Sequence, residues 1–310
     1  MLKQLPILCI IGPTASGKTD ASLALAEHLP IEIINVDSAQ IYQMMDIGSG
    51  KPSKEILAKI PHHLMNILDP AQAYSAGQFC HDAIKAIHEI QSRDRIPVLV
   101  GGTMLYFKVL QEGLSELPGS SPSIRAQLDK AMQDNGLESL YQRLQQVDPE
   151  RALQIKPTDP QRIQRALEIY ELTGKTMSQW LLTPRTTLHD YTFVNLGILP
   201  MTTPREVLHR RITQRFENML SAGLVEEVNV LFQRGDLDIN LPALRAVGYR
   251  QVWQYLAGHL NEQEMKEQAI AATRQLAKRQ LTWLRSWPNL TSIDFLDPEI
   301  LTKIEKHIVI

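Results

Sequence analysis

The sequence predicts an α/β fold, a parallel sheet with helices on both faces interrupted by a mostly helical insertion. Three observations predict it. Short runs rich in Ile, Leu and Val alternate with segments of helical apolar spacing across residues 5–100. A glycine-rich loop joins the first such run to the first helical segment. The strand signals then stop over 116–190 and return at 191–199.

Residues 5–11 read as a buried strand, 12–19 interrupt it, and 20–29 have helical spacing. A second strand follows at 31–36, a helix at 74–91, and a third strand at 96–100 closed by Gly101 and Gly102. The character changes near Leu117, where Pro118-Gly119-Ser120-Ser121-Pro122 breaks the chain. Segments 123–147 and 160–173 look helical, the second opened by Asp159 as N-cap and Pro160 in the first turn. After the strand at 191–199, helices are expected at 204–234 and 262–287. The expected organisation is a core of 1–115 with 191–310, carrying an insertion at 116–190.

Composition narrows the function classes. Over 310 residues the hydrophobic share is 44% and the charged share 21%, a globular balance. A net charge of −2 excludes a polycation, but residues 241–285 hold 7 Lys+Arg against 3 Asp+Glu, so a polyanion site is expected in the C-terminal third. Cys9 and Cys80 make neither a disulfide framework nor a zinc site, which fits a reducing cytoplasmic compartment. No run approaches the roughly 18 apolar residues of a membrane span, and no signal peptide is evident.

Gly12-Pro13-Thr14-Ala15-Ser16-Gly17-Lys18-Thr19 matches the phosphate-loop pattern G-x-x-x-x-G-K-[ST] between strand and helix. The glycines let backbone N–H groups face phosphate oxygens, the helix adds the positive end of its dipole, and Lys18 adds a charge. The Thr19 hydroxyl is placed to hold Mg²⁺. The core is therefore expected to be P-loop NTPase-like. No carboxylate follows the third strand, which runs into Gly101-Gly102-Thr103, so the hydrolytic motor reading weakens. The second strand does end in an acid, Asp37. Ligands of open parallel sheets sit beyond the carboxyl ends of the strands, so Asp37 is expected near the loop, where it can accept a proton. Position alone leaves a turn or N-cap role open for it.

Longer segments are more specific. Asp37-Ser38-Ala39-Gln40-Ile41-Tyr42, Met45-Asp46-Ile47-Gly48 and Lys51-Pro52 resemble the signature of tRNA dimethylallyltransferases. So do the phosphate loop, Gly101-Gly102-Thr103-Met104-Leu105-Tyr106, Asp159-Pro160-Gln161-Arg162, Arg165-Ala166-Leu167-Glu168, Val247-Gly248-Tyr249-Arg250, and Thr273 through Gln280. The matches span about residues 7–287. Gln40, Met44, Ser49 and Gly50 depart from the residues expected there, and no Cys/His finger follows, as in the shorter bacterial type.

The resemblance implies that Gly12 to Thr19 hold the diphosphate of dimethylallyl diphosphate rather than ATP, with Mg²⁺ as cofactor. It implies that Asp37 deprotonates the exocyclic amine of a tRNA adenine, that Thr103 contacts the same centre, and that Arg211 neutralises the leaving group, with Arg210 as the alternative. Contacts to tRNA are implied for Asp37, Ser38, Ala39, Gln40, Thr103, the Gln161-Arg162-Ile163-Gln164-Arg165 segment, Arg245, Tyr249, Arg250, Arg274, Lys278 and Arg279, with Arg125 a weaker addition. Tyr249 is a candidate for stacking on a base. Arg274, Lys278 and Arg285 share one side of the last long helix, opposite Ala269, Thr273, Leu276, Gln280 and Leu284. Trp253, Trp283 and Trp287 read as core, and His62 and His63 as structural. A monomer binding the anticodon arm, with no membrane, is expected. The competing readings are a small-molecule kinase, a nucleotide-dependent RNA-binding module, and a relative that prenylates free adenine nucleotides.

Overall fold

The computed structural model describes residues 6–308 except 114, 116, 184, 186, 188 and 189. Position 5 of the expected first strand lies outside the described residues, as do 116, 184, 186, 188 and 189 of the expected insertion. The chain divides into two compact units, Met1–Val109 with His189–Ile310, and Leu110–Leu188.

In chain order the first unit opens with β1 (Ile7–Ile11), α1 (Lys18–His28), β2 (Ile31–Val36), α2 (Lys54–Lys59), β3 (His62–His63), α3 (Ala76–Gln91) and β4 (Ile96–Gly101), and α4 (Met104–Glu112) runs across the division at Val109. The second unit contributes α5 (Pro122–Val147), α6 (Pro149–Gln154), α7 (Pro160–Thr173) and α8 (Met177–Leu181). The first unit resumes with β5 (Phe193–Leu199), α9 (Arg205–Ser221), α10 (Leu224–Phe232), α11 (Tyr249–Leu256), α12 (Glu262–Arg285), β6 (Leu290–Asp294) and α13 (Ile300–Glu305).

The six strands are all parallel, in the order β3-β2-β4-β1-β5-β6. Parallel neighbours need a crossover between them, which is why helices separate the strands in sequence. Side chains alternate across the sheet. Leu8, Ile10, Ile33, Val98, Val100, Leu196 and Ile198 form one core with Ala21 and Leu25 of α1 and Ile304 of α13. Cys9, Ile34 and Leu99 are buried as well, and α3 packs on β2 and β4. Strands buried on both faces read as continuous apolar runs, which made them legible, and each fully buried Ile or Leu contributes about 1.5–3 kcal/mol.

Register decides where the loops meet. Gly101 is the partner of both Ile11 and Val36, so β1, β4 and β2 end level and side by side. Only glycine fits at that point, because a Cβ on Gly101 would lie 2.0 Å from the Val36 carbonyl oxygen.

Strands β3 and β6 escaped the sequence reading. The first has only two residues, and the second, Leu290-Thr291-Ser292-Ile293-Asp294, is half-exposed and mixed in polarity. The stretch 204–234 is two helices, parted at Gly223, whose φ of 99° ends the helical path.

In the second unit, Leu128, Leu140, Leu144, Ile163, Leu167, Ile169 and Met177 make a separate core. The Asp159 side chain caps α7 by accepting from the Arg162 N–H, with Pro160 in the first turn, as its sequence predicts. Helix α5 is bent at Gly136, whose backbone leaves the helical region (φ 78°, ψ 163°).

Candidate active site

The loop after β1 builds one wall. Gly17 caps α1 in the left-handed conformation (φ 88°), and Ala15 shares it (φ 63°). A Cβ on Gly12 would come within 2.6 Å of the Ile198 carbonyl oxygen and 2.8 Å of Ser16 Oγ, so the loop lies tight against β5. Ser16 Oγ is buried with no hydrogen-bond partner. A buried hydroxyl in that state is a donor for an incoming oxygen. Lys18 Nζ donates to the Pro13 carbonyl at 2.8 Å. Burial lowers the Lys18 pKa to about 8, the Asp37 carboxylate raising it and Arg215 lowering it further.

The ends of β2 and β4 build the facing wall. Thr103 Oγ1 accepts from the Ser38 N–H at 3.0 Å, and the Thr103 N–H donates to the Val36 carbonyl at 3.1 Å. Asp37 Oδ1 accepts from the Ala39 N–H at 2.9 Å, an Asx turn that orients the carboxylate. Asn35, buried in β2, donates to the carbonyls of Asp37 (3.2 Å) and Leu64 (3.0 Å). Gln40 Nε2 reaches the carbonyls of Ser49 and Gly50, both at 3.2 Å.

Helices α9 and α12 close the site. Arg211 Nε donates to the Ala15 carbonyl at 2.9 Å, and its guanidinium lies beside Gly17 and over the Phe295 ring. One turn on, Arg215 faces Asp37 and Asp20 and lies against Gly50, where a Cβ would be 1.9 Å from its Nη2. Burial depresses the Arg215 pKa, with the two carboxylates opposing. From α12, Gln280 bridges the two walls. Its Oε1 accepts from the Thr14 N–H and its Nε2 donates to the Gly102 carbonyl, both at 2.9 Å. Together these elements enclose a cavity of about 520 Å³, lined among others by Lys18, Thr19, Asp37, Thr103, Arg215 and Arg279.

The geometry brings together the phosphate loop, Asp37, Ser38, Ala39, Gln40 and Thr103, all predicted from sequence. Arg211 reaches the loop, whereas Arg210 is exposed. Arg245 and Arg279 line the cavity; Arg250, Arg274 and Lys278 are exposed, Arg274 donating to Thr213 Oγ1 at 3.1 Å. Sequence reasoning missed Arg215, Gln280 and Asn35. A polar residue inside a buried strand was the one signal for Asn35. Arg215, four residues after Arg211, shares its helix face, a signal that was present and unused.

Several expectations are corrected. Tyr249 is fully buried, its hydroxyl donating to Glu227 Oε1 at 2.6 Å, so no ring face is left for a base. Trp283 is 38% exposed, forms part of the cavity wall and lies under Lys108, while Trp253 is buried in the core as expected. On α12, Ala277 turns fully inward, while Thr273 and Leu276 are half-buried and line the cavity. His63 bonds Glu32 at 2.7 Å and is structural as expected, whereas His62 also lines the cavity.

In the second unit, Ile163 is buried in that unit's own core and cannot contact RNA there. Arg125 and Arg165 are engaged with the buried Glu168 carboxylate, at 3.0 and 2.7 Å. Burial pushes Glu168 up, but the two guanidiniums and the Ser121 N–H outweigh it and hold the carboxyl below its ordinary range. Arg125 therefore ties α5 to α7, and Arg165 ties α7 to the Pro118 and Gly119 carbonyls, instead of presenting unengaged charge. Arg162 is exposed and pairs with Asp159 at 2.7 Å, Gln161 is exposed, and Gln164 donates to Asp129.

The model of the IPP transferase family matches residues 40–287. A tRNA dimethylallyltransferase of Burkholderia cenocepacia (strain HI2424) is 51% identical over 296 residues, covering 94% of this chain and 91% of the relative. One from Coxiella burnetii (strain Dugway 5J108-111) is 48% identical over 302 residues, covering 97% and 96%. Among solved structures, the tRNA isopentenylpyrophosphate transferase of Bacillus halodurans is similar with a TM-score of 0.69 at 36% identity, covering 98% of this chain and 95% of that one. A eukaryotic dimethylallyltransferase acting on tRNA gives 0.75 at 27% identity, covering 95% and 75%.

Proposed function

Because this chain belongs to the IPP transferase family, we propose that it transfers a dimethylallyl group from dimethylallyl diphosphate to the N6 amine of the adenosine next to the anticodon in tRNA, releasing diphosphate. The observation that carries this reading is the placement of Asp37 between a phosphate loop and the Ser38–Thr103 corner, with Lys18 and Arg215 facing it.

The step is a displacement at a primary allylic carbon. The amine nitrogen forms a bond to that carbon, the carbon–oxygen bond to diphosphate breaks, and Asp37 takes the amine proton. Backbone N–H groups of the 12–19 loop, Lys18, Arg211 and Arg215 take up the negative charge that develops on the leaving oxygen. Their cations come from two directions, the loop and α9. Thr103 and the 38–40 turn orient the adenine, and the bound base shields the reactive allylic carbon from water. A base reaches such a site by leaving its stack. Arg245, Arg250, Arg274, Lys278 and Arg279 supply phosphate contacts, as do Gln161 and Arg162 of the second unit.

Mg²⁺ fits the donor set. In a phosphate loop the Ser/Thr hydroxyl after the lysine holds Mg²⁺ against the substrate phosphates. Thr19, with Ser16 Oγ unpartnered nearby in the loop, is such an oxygen source. The ion would neutralise diphosphate charge. Among the described residues no helix is long and apolar enough to cross a membrane. A tRNA substrate supports a cytoplasmic site of action, and the chain is read as a monomer.

The test is transfer of label from dimethylallyl diphosphate to unmodified tRNA with Mg²⁺, beside adenosine monophosphate, with Asp37→Ala as control. Label on tRNA that requires Asp37 is the expected result. Label on the free nucleotide alone overturns the acceptor assignment, and no label on either overturns the activity.

A further inference from the structure

The segment from Asp46 to Gly50 brings Gly48 and Ser49 to the cavity wall, Arg215 lies against it at Ser49 and Gly50, and one carboxylate holds it. Glu227, on α10, accepts from the N–H groups of Asp46 (2.9 Å), Ile47 (2.7 Å) and Gly48 (3.1 Å). Three successive N–H groups turned to one anion form a nest, ordinarily a site for a phosphate or carboxylate ligand. Here the ligand is internal. Its fourth bond comes from the Tyr249 hydroxyl at 2.6 Å, and Tyr249 is itself fully buried. The fit has no slack, since a Cβ on Gly48 would lie 2.7 Å from both the Tyr249 ring and Leu224.

The far side of the segment is pinned too. Lys51 Nζ donates to the Tyr42 carbonyl, Asp46 Oδ1 and Asn66 Oδ1, at 2.5, 2.7 and 2.5 Å. Beyond the nest, the Ser49 carbonyl accepts from Gln40 at 3.2 Å and from Arg215 Nη2 at 3.5 Å. Gly50, with φ of 67°, leaves the space the guanidinium occupies. The path from Glu227 to the reacting centre therefore has two links: carboxylate to nest, then nest to Arg215.

We propose that Glu227 is a positioning residue of the transfer site, filling the 46–48 nest so that Arg215 is held facing Asp37 and Lys18, with Tyr249 orienting the carboxylate. The proposal rests on the transferase reading. Replacing the carboxylate by a carboxamide leaves one acceptor oxygen and turns an N–H₂ group toward N–H donors, which releases the segment. Displacement of a charged group by about 1 Å near a reacting centre lowers rate by about 10²-fold.

The experiment compares steady-state transfer to tRNA, and thermal unfolding, for the wild type, Glu227→Gln, Tyr249→Phe, the double variant and Glu226→Gln, an exposed acid of the same turn. Glu227→Gln is expected to lose kcat by about 10²-fold with the KM for tRNA little changed, while Glu226→Gln behaves as wild type. Tyr249→Phe is expected to lose less, and the double variant to be no worse than Glu227→Gln, because the tyrosine acts through the carboxylate. A folded Glu227→Gln protein with wild-type kcat overturns the proposal, as do losses that multiply in the double variant. Where Glu227→Gln does not fold, Tyr249→Phe decides: lowered kcat supports the proposal and unchanged kcat overturns it. A wild type that transfers no label overturns the transferase reading and this proposal with it.

Discussion

Affinity for diphosphate is expected to fall as pH rises through about 8, because of Lys18. Burial lowers the folded-state pKa of this ammonium from 10.5 to about 8. The unfolded chain thus binds the proton more tightly. The buried charge destabilises the fold below about pH 8, and that penalty fades between 8 and 10.5. A bound diphosphate restores the charged form, so above pH 8 binding must take up a proton. If the bound-state pKa returns to its ordinary value, the gap corresponds to about 3 kcal/mol, or about a 300-fold loss of affinity across the whole window. From pH 7 to 9 about tenfold of that loss is expected. The assay is calorimetric titration with inorganic diphosphate from pH 7 to 9.5, in two buffers of different ionisation enthalpy to count protons. Lys18→Met serves as the baseline, because it retains the titration of the ligand itself. Parallel profiles for the wild type and Lys18→Met would refute the reasoning, since the proton would then not belong to Lys18.

Arg215→Ala and Arg211→Ala are each expected to lower kcat by about 10²–10³-fold, as removal of one charge-stabilising donor does; steady-state transfer assays check this, and wild-type kcat in Arg215→Ala would remove it from the site. Gly101→Ala is expected to lower stability by more than about 3 kcal/mol, because its Cβ would lie 2.0 Å from the Val36 backbone oxygen and backbone cannot yield as side chains do; an unchanged Tm would contradict the β2–β4 register. Asp294 holds the 201–203 turn ahead of α9, accepting from the N–H groups of Met201, Thr202 and Thr203. Burial pushes its pKa up, but the Leu296 N–H, the Thr203 hydroxyl and the N–H groups of Thr202 and Thr203 more than offset this and hold it well below the ordinary range. The stability it contributes is therefore present above the ordinary carboxylate range and is lost as pH falls below it. Asp294→Asn is expected to lower Tm by about 5 °C at pH 7 and by progressively less toward acid pH, measured by calorimetric scans.

The sequence by itself determined whatever is written in contiguous residues. The phosphate loop, the apolar strands, the Asp159 cap and Asp37 all carry their signal within a few positions, because backbone turns, capping and burial on both sheet faces are local or periodic. The level ends of β1, β4 and β2 then made neighbours of Gly12, Gly102 and Asp37. Side chains from distant helices were decided only by the tertiary structure. Arg215 and Arg210 are the same residue type on one helix, yet one faces Asp37 and the other solvent. Tyr249 looked like a base platform until its hydroxyl was found on Glu227, and Arg125 and Arg165 looked like RNA contacts until Glu168 was found between them. A side chain's chemistry is fixed by its type, but its partner is fixed by which backbone segments pack together, and the Tyr249 and Arg125 partners are 22 and 43 positions away. Helical periodicity names a face; only packing says what that face meets.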